Sequence, residues 1–225
     1  MYSEDIISTQ ANIGFMYEDK FMEAYNESLL ADKGRLIPEN YSIRWRIHTL
    51  LWASKYALSL DGDFIDFGGG FGIFASAIYK YTGFEKENRK YFLLDSFEGL
   101  KQETSSGIEL DRIEYFKKFG DWHEEVVENF KNYGNIEIIK GFIPETLSQI
   151  KTKKVCFVSI DLNALLPEKN ALDYIWEKLV KGGIIIFDDY GFPGHENQKS
   201  HHDEFAKSKG LLIYTSPTGQ GILIK

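Results

Sequence analysis

Asp161 closes the apolar run Val155–Ile160, and Asp188-Asp189 closes the run Gly183-Ile184-Ile185-Ile186-Phe187. Both runs read as strands, and alternation puts Asp161 and Asn163 on one side of the chain. If the two strands are neighbours, their tips lie about 5 Å apart. Three carboxylates at one such rim repel one another strongly unless a positive charge sits between them. Oxygen-only ligands on a rigid rim suit Mg²⁺, with Ca²⁺ and Mn²⁺ as alternatives. The competing reading is that these acids end strands or cap helices, and that water relieves their crowding.

A second constellation lies earlier in the chain. Asp63-Phe64-Ile65-Asp66-Phe67 runs into Gly68-Gly69-Gly70-Phe71-Gly72 and then into the helical run Ile73–Ile78. Glycines there let the backbone turn tightly, approach a ligand and aim a helix N-terminus at it. Asp66, Gly68, Gly70 and Gly72 are the candidate binding positions of this turn. Asp95 ends the next strand, Tyr91–Leu94, 29 residues after Asp66. That distance fits one strand–helix–strand unit, and an acid there is placed to accept hydrogen bonds from ribose hydroxyls. Ser96 and Phe97 follow it, and Gly141-Phe142 follows a third strand. Phe97 and Phe142 are candidate walls for an aromatic base, with ordinary core packing as the alternative.

The elements that must position these groups alternate. Strands are expected at 63–67, 90–95, 135–140, 154–161, 183–188, 211–216 and 221–225. Helices are expected at about 71–82, 121–133, 168–181 and 196–209, with a short one near 144–150. This alternation predicts an α/β fold with a mostly parallel sheet covered on both faces. Only Pro217-Thr218-Gly219-Gln220 separates the last two strands. Four residues cannot hold a parallel crossover, so the sheet ends in an antiparallel hairpin. Residues 1–62 read as helical, from Phe21, Met22, Tyr25 and Leu29 and then Ile43, Ile47, Leu50, Leu51 and Leu58, with Asn40 or Ser42 as a cap. The expected division is an N-terminal helical lid or dock over 1–62 and a Rossmann-like domain over 63–225. Residues 100–120 have weak periodicity, and a connection that long reads as a lid.

Composition narrows the function. The 225 residues carry 43% hydrophobic and 15% aromatic side chains, ample for a full core. A net charge of −8 argues against nucleic acid as the main partner and mildly favours a bound cation. A single cysteine, Cys156, excludes an internal disulfide and suits a reducing cytoplasm. No apolar run approaches the ~20 residues of a membrane helix, and Met1–Asp5 lacks the start of a signal peptide. The aromatic-rich N-terminal helices are candidates for a lid or for an interface between copies of the chain.

Five segments occur in an order that carries a family likeness: Asp66–Gly72, Asp95-Ser96-Phe97-Glu98-Gly99-Leu100, Gly141–Leu147, Ile160–Asn163 and Gly182–Gly191. Over roughly residues 38–225 the chain resembles the macrocin O-methyltransferase family. The Asp-Ser-Phe-Glu-Gly and Asp-Asp-Tyr-Gly motifs are fairly specific, whereas the glycine turn is generic. The resemblance implies a class I S-adenosylmethionine methyltransferase fold, seven-stranded with an antiparallel C-terminal strand. It also implies Mg²⁺-dependent methylation of a hydroxyl on a small molecule, often a sugar. Asp161, Asp188 and Asp189 then correspond to metal ligands, Asp95 to the ribose-binding acid, and Gly68–Gly72 to the loop beside the methionine.

Asn163 departs from that family, which has an aspartate there as its proposed general base. An amide cannot accept a proton at neutral pH. His195, six residues beyond Asp189, is a candidate replacement, with a solvated loop histidine as the alternative. His201 and His202 read as a helix surface, His123 as structural, and Glu168 as an acid at a helix start. Three functions follow. The first is a methyltransferase acting on a small, sugar-like hydroxyl acceptor. The second is a cofactor-binding protein that has lost its base, and the third a nicotinamide-dependent oxidoreductase.

Overall fold

The computed structural model describes residues 2–225; Met1, the first residue of the expected N-terminal unit, lies outside them. The chain opens on a hairpin of β1 (Tyr2–Glu4) and β2 (Ile7–Thr9), where helix was expected. Its turn holds Asp5 and Ile6 at φ of 49° and 58°. Two helices follow, α1 (Asp19–Asp32) and α2 (Arg44–Ala57). The cap of α2 is Ile43 rather than Asn40 or Ser42, although Ser42 Oγ still accepts from the Arg44 amide at 3.4 Å.

The strands of the main sheet are β3 (Asp63–Phe67), β4 (Tyr91–Asp95), β5 (Ile136–Lys140), β6 (Val155–Ile160), β7 (Leu179–Phe187), β8 (Tyr214–Thr215) and β9 (Gly221–Ile224). They lie in the order β5-β4-β3-β6-β7-β9-β8. β3 to β7 are parallel, and β9 is antiparallel to both β7 and β8. The reversed end is therefore where the four-residue gap requires it. The expected strand 211–216 shortens to the two residues Tyr214–Thr215, and Leu212 before it stands 90% exposed.

Between the strands run α3 (Ile73–Thr82), α4 (Glu109–Lys117), α5 (His123–Phe130), α6 (Leu165–Trp176) and α7 (Glu196–Ser208). β3, β4 and β6 are buried along nearly their whole length and β7 from Gly183 to Phe187, as strands covered on both faces must be. One face packs with α1, α2 and α3 around Phe64, Tyr79, Phe157 and Ile186. The other packs with α6 and α7 around Phe67, Val158, Ile175 and Phe187. The order reverses at β3, which has β4 on one side and β6 on the other. In an open parallel sheet the crevice at that reversal is where a ligand fits.

Candidate active site

Strand pairing delivers the acids. The Asp161 amide donates to Phe67 O at 2.8 Å, and the Asp188 amide to Ile160 O at 3.1 Å. The tips of β3, β6 and β7 therefore stand side by side. One cavity of about 240 Å³ opens over them, lined by Gly68, Gly70, Asp95, Asp161, Asp188 and Asp189 among others. Both predicted constellations thus meet in one space.

The first half of the cavity is built from backbone. Asp95 sits at the end of β4, where its Oδ2 accepts from the Gly70 amide at 2.9 Å and its Oδ1 from the Phe97 amide at 2.6 Å. Each carboxylate oxygen retains a second lone pair for an incoming hydroxyl. Burial raises the Asp95 pKa, and the two amides oppose that rise. Gly68 has a φ of +84°, and an added Cβ would lie 1.9 Å from Asp161 O. Ser96, Gly141 and Phe142 also line the cavity, with the Lys101 ammonium 5.4 Å from the Phe142 ring centre.

Three expected residues have other places. Phe97 is fully buried beside Trp122 and His123 and contributes only its amide. His123 therefore lies closer to the β4 tip than its helix-start position suggested. Asp66 is 1% exposed beneath the turn, where Tyr91 Oη donates to its Oδ2 at 3.3 Å. Burial pushes the Asp66 pKa up to about 7. Gly72 caps α3, and a side chain there would strike Phe130 at 2.5 Å.

The second half is the acidic rim. Burial, and then the charges of Asp189 and Asp188, raise the Asp161 pKa well above the usual carboxylate range. Burial and Asp188 push Asp189 up to about 7. Asp188 is 4% exposed and has partners on both oxygens. Gln220 Nε2 donates to Oδ1 at 2.9 Å, and Arg46 Nη1 donates to Oδ2 at 3.1 Å. Arg46 reaches in from α2 and also holds Asp5 at 3.1 Å, with its guanidinium 4.3 Å from the Phe192 ring centre. Burial alone would lower the Arg46 pKa, but Asp188, Asp5 and Asp189 hold it above its ordinary value. Asn163 Nδ2 donates to Asp161 Oδ1 at 2.7 Å.

The acids converge, yet they do not form the ready-made metal centre expected from their spacing. Among the described residues no group of three or more His, Cys, Asp or Glu side chains is arranged to hold a metal ion. Arg46 and Gln220 occupy both oxygens of Asp188, and the Asn163 amide occupies Oδ1 of Asp161.

His195 is 6% exposed rather than solvated, with Nε2 3.5 Å from Asp189 Oδ2. Arg112 Nη2 lies 2.6 Å from the same nitrogen, and a guanidinium can only donate. The His195 lone pair on Nε2 is therefore taken. Burial and Arg112 lower its pKa to about 4. The geometry speaks against His195 as the proton acceptor and makes it a neutral ring packed beside Asp189.

Arg112 comes from α4, inside the segment read as an irregular lid. It also donates to Asn163 O at 2.9 Å and to Gly194 O at 3.1 Å. Glu109, buried one turn earlier, accepts from the amides of Leu165 and Ser106, each at 2.8 Å. Two charged side chains thus pin the segment across both acid-bearing loops. Arg112→Ala removes three of these anchors and should speed proteolytic cleavage within 100–120 by about tenfold, since that segment has few other buried contacts. An unchanged cleavage rate would show that Glu109 and apolar packing alone hold it. Sequence patterning did not point to Arg46, Arg112, Gln220 or Trp122, which lines the cavity and donates from Nε1 to Gly70 O at 3.2 Å. In a chain of net charge −8, two arginines within the helical stretch 44–57 were the available signal.

Among the described residues no helix is long and apolar enough to cross a membrane. The family model for macrocin-O-methyltransferase (TylF) matches residues 51–213. An 8-demethyl-8-(2,3-dimethoxy-alpha-L-rhamnosyl)-tetracenomycin-C 4'-O-methyltransferase from Streptomyces olivaceus is 27% identical over 142 residues, 58% of this chain and 54% of that protein. The chain thus spans about half the length of that relative. The mycinamicin III 3''-O-methyltransferase of Micromonospora griseorubida is 23% identical over 176 residues, 69% of this chain and 68% of that one. In fold, the chain is similar to the O-methyltransferase NovP, with a TM-score of 0.68, 20% identity and 88% of each chain covered. It is also similar to the calicheamicin methyltransferase CalS11, with a TM-score of 0.69, 14% identity and 97% and 99% covered. The sheet order, the motif-bearing strand tips and the match over most of its length agree: the chain belongs to the macrocin-O-methyltransferase family.

Proposed function

We propose that this chain transfers the methyl group of S-adenosylmethionine to a hydroxyl of a sugar-bearing small molecule. The observation that carries this reading is the shared cavity, with the glycine turn and Asp95 on one side and Asp161, Asp188 and Asp189 on the other. Asp95 would accept from the ribose hydroxyls and Phe142 would wall the adenine. The turn at Gly68 and Gly70 would let the methionine end approach the backbone. The sugar is proposed because the first relative is named for a rhamnosyl-bearing compound.

Methyl transfer from a sulfonium is an in-line displacement. Holding nucleophile, carbon and sulfur in line can supply several kcal/mol of the barrier, up to about 7–11 in well-oriented intramolecular reactions. Residues of the N-terminal unit, Leu36, Ile37 and Arg46, wall the cavity and would help seat the acceptor. In donor type and charge the rim suits a hard divalent cation, Mg²⁺ first. It offers three clustered acids, and burial, then the neighbouring carboxylates, raise the pKa of Asp161 and Asp189. Asp161, Asp188 and Asp189 would hold the ion, with Arg46 yielding Asp188. When bound, the ion would acidify the hydroxyl and reduce the demand on a base. Asn163 donates to Asp161 and cannot take the proton. With His195 held by Arg112, the carboxylates of Asp161 and Asp189 are the acceptors left at the rim.

The test is methyl transfer to a panel of deoxysugar glycosides, followed by S-adenosylhomocysteine release. Product should appear, and a chelator should cut the rate about 100-fold with recovery on added Mg²⁺. Tight S-adenosylhomocysteine binding with no product across the panel would instead favour a binding protein that has lost its base, the reading Asn163 motivates. Stabilisation by NAD but not by S-adenosylhomocysteine would favour an oxidoreductase, against which the antiparallel β9 already speaks.

A further inference from the structure

Within residues 3–10 only Asp5, at the turn of the β1–β2 hairpin, is buried. The turn sets Asp5 and Ile6 in the left-handed region, which Asn-Gly enters readily and a β-branched isoleucine does not. Asp5 Oδ1 accepts from Arg46 Nε at 3.1 Å and from Tyr41 Oη at 3.2 Å. Asp5 Oδ2 is buried with no hydrogen-bond partner. A buried carboxylate oxygen left unpaired is unfavourable and calls for a reason.

Arg46 supplies one. It spans two carboxylates, with Nε on Asp5 and Nη1 on Asp188 Oδ2. Nε and Nη2 share one edge of a guanidinium, and that edge can grip both oxygens of a carboxylate at once. While Nη1 stays on Asp188, only half of such a seat on Asp5 is used. Gln220 holds the other oxygen of Asp188, so a departing Arg46 opens Oδ2 alone.

We propose that Asp5 is a positioning residue, the second seat of Arg46. When Asp188 gives up Arg46 to a divalent cation, the guanidinium turns onto both oxygens of Asp5 and holds the N-terminal hairpin more tightly against α2. The link to a cation rests on the function proposed above, but the second seat does not. Occupancy of the rim is thereby coupled to closure of the hairpin.

The test is amide hydrogen exchange on the full chain, read over residues 2–9, with Mg²⁺ as the cation. Asp188→Asn removes the charge that holds Nη1 and keeps the side-chain shape. Thr218 donates to Gln220 Oε1 at 3.3 Å and so keeps Gln220 Nε2 aimed at position 188; the new amide then turns its own N–H toward Arg46. Exchange over 2–9 should slow about fivefold in this variant without metal, and Mg²⁺ should slow it as much in the parent. In an Asp5→Asn background both responses should be lost. Calorimetric titration adds a readout that mere support of the hairpin would not move. Asp5→Asn should weaken Mg²⁺ binding about fivefold, and that effect should vanish in an Arg46→Gln background. Hairpin exchange that is unchanged or faster in Asp188→Asn, or in the parent with Mg²⁺ bound, would overturn the inference. So would an equal loss of Mg²⁺ affinity in both backgrounds, since Asp5 would then act without Arg46. A parent that binds no Mg²⁺ would defeat the metal reading of the rim and leave the second seat to the Asp188→Asn result. A parent that binds Mg²⁺ but methylates no sugar would defeat the proposed function alone.

Discussion

Asp188→Ala should lower turnover by about a thousandfold while leaving S-adenosylhomocysteine affinity within about threefold of the parent. The two effects separate because the groups are separate. The cofactor half of the cavity rests on Asp95 and the Gly70 amide, which make no hydrogen bond to Asp188. Asp188 instead anchors the rim, receiving Gln220 on one oxygen and Arg46 on the other. Its loss frees Arg46 to swing with Asp5 and removes one of three acids from the acceptor side. Fold stability should also fall, since the buried Gln220 amide loses its acceptor and Arg46 one of its two carboxylates, a loss that relief of the repulsion on Asp161 and Asp189 offsets only in part. Asp188→Asn, which keeps the shape, should lose turnover equally. Steady-state kinetics and calorimetric titration on both variants decide the matter. Turnover within about tenfold of the parent in either would remove Asp188 from the chemistry.

Gly68→Ala should abolish cofactor binding and destabilise the fold by about 3 kcal/mol or more. Its φ of +84° already disfavours a side chain, but the steric clash costs more. The new methyl would sit 1.9 Å from Asp161 O and 2.6 Å from Asp161 C, both backbone atoms that cannot rotate away. The turn after β3 and the tip of β6 would have to part, and both halves of the cavity would move. Gly83→Ala is the control. Its φ is +70° with nothing within 4 Å of an added Cβ, so only the left-handed backbone cost of about 1 kcal/mol applies. Thermal unfolding of the two variants, with and without S-adenosylhomocysteine, separates contact from conformation. Equal losses in both would show that backbone preference, and not the close approach to Asp161, governs the turn.

What could be read from sequence followed how locally each feature is encoded. β3, β4, β6 and β7 announce themselves because burial on both faces demands unbroken apolar runs. Asp95 at the end of β4, and Asp161 and Asp188 just past β6 and β7, stand out for the same reason. The hairpin of β1 and β2 has three residues per strand, too few for alternation to register. α4 is exposed on nearly every side, so it offers no apolar stripe. Two charged anchors hold it, with partners 51 to 83 residues away in sequence. Glu168 and His202, 34 residues apart, look like ordinary surface positions until α6 and α7 are packed together. Arg46 likewise gains its meaning only from Asp188, 142 residues on. Side chains that complete a site through tertiary contact leave no periodic trace.

The most direct measurement is a crystal structure of the protein with S-adenosylhomocysteine and Mg²⁺. Ribose hydroxyls should sit on Asp95, with the sulfur facing the acidic rim. An ion should lie among Asp161, Asp188 and Asp189, with Arg46 withdrawn from Asp188. Cofactor bound away from the turn at Gly68, or a rim that keeps Arg46 on Asp188 with no ion at saturating Mg²⁺, would contradict the proposed chemistry.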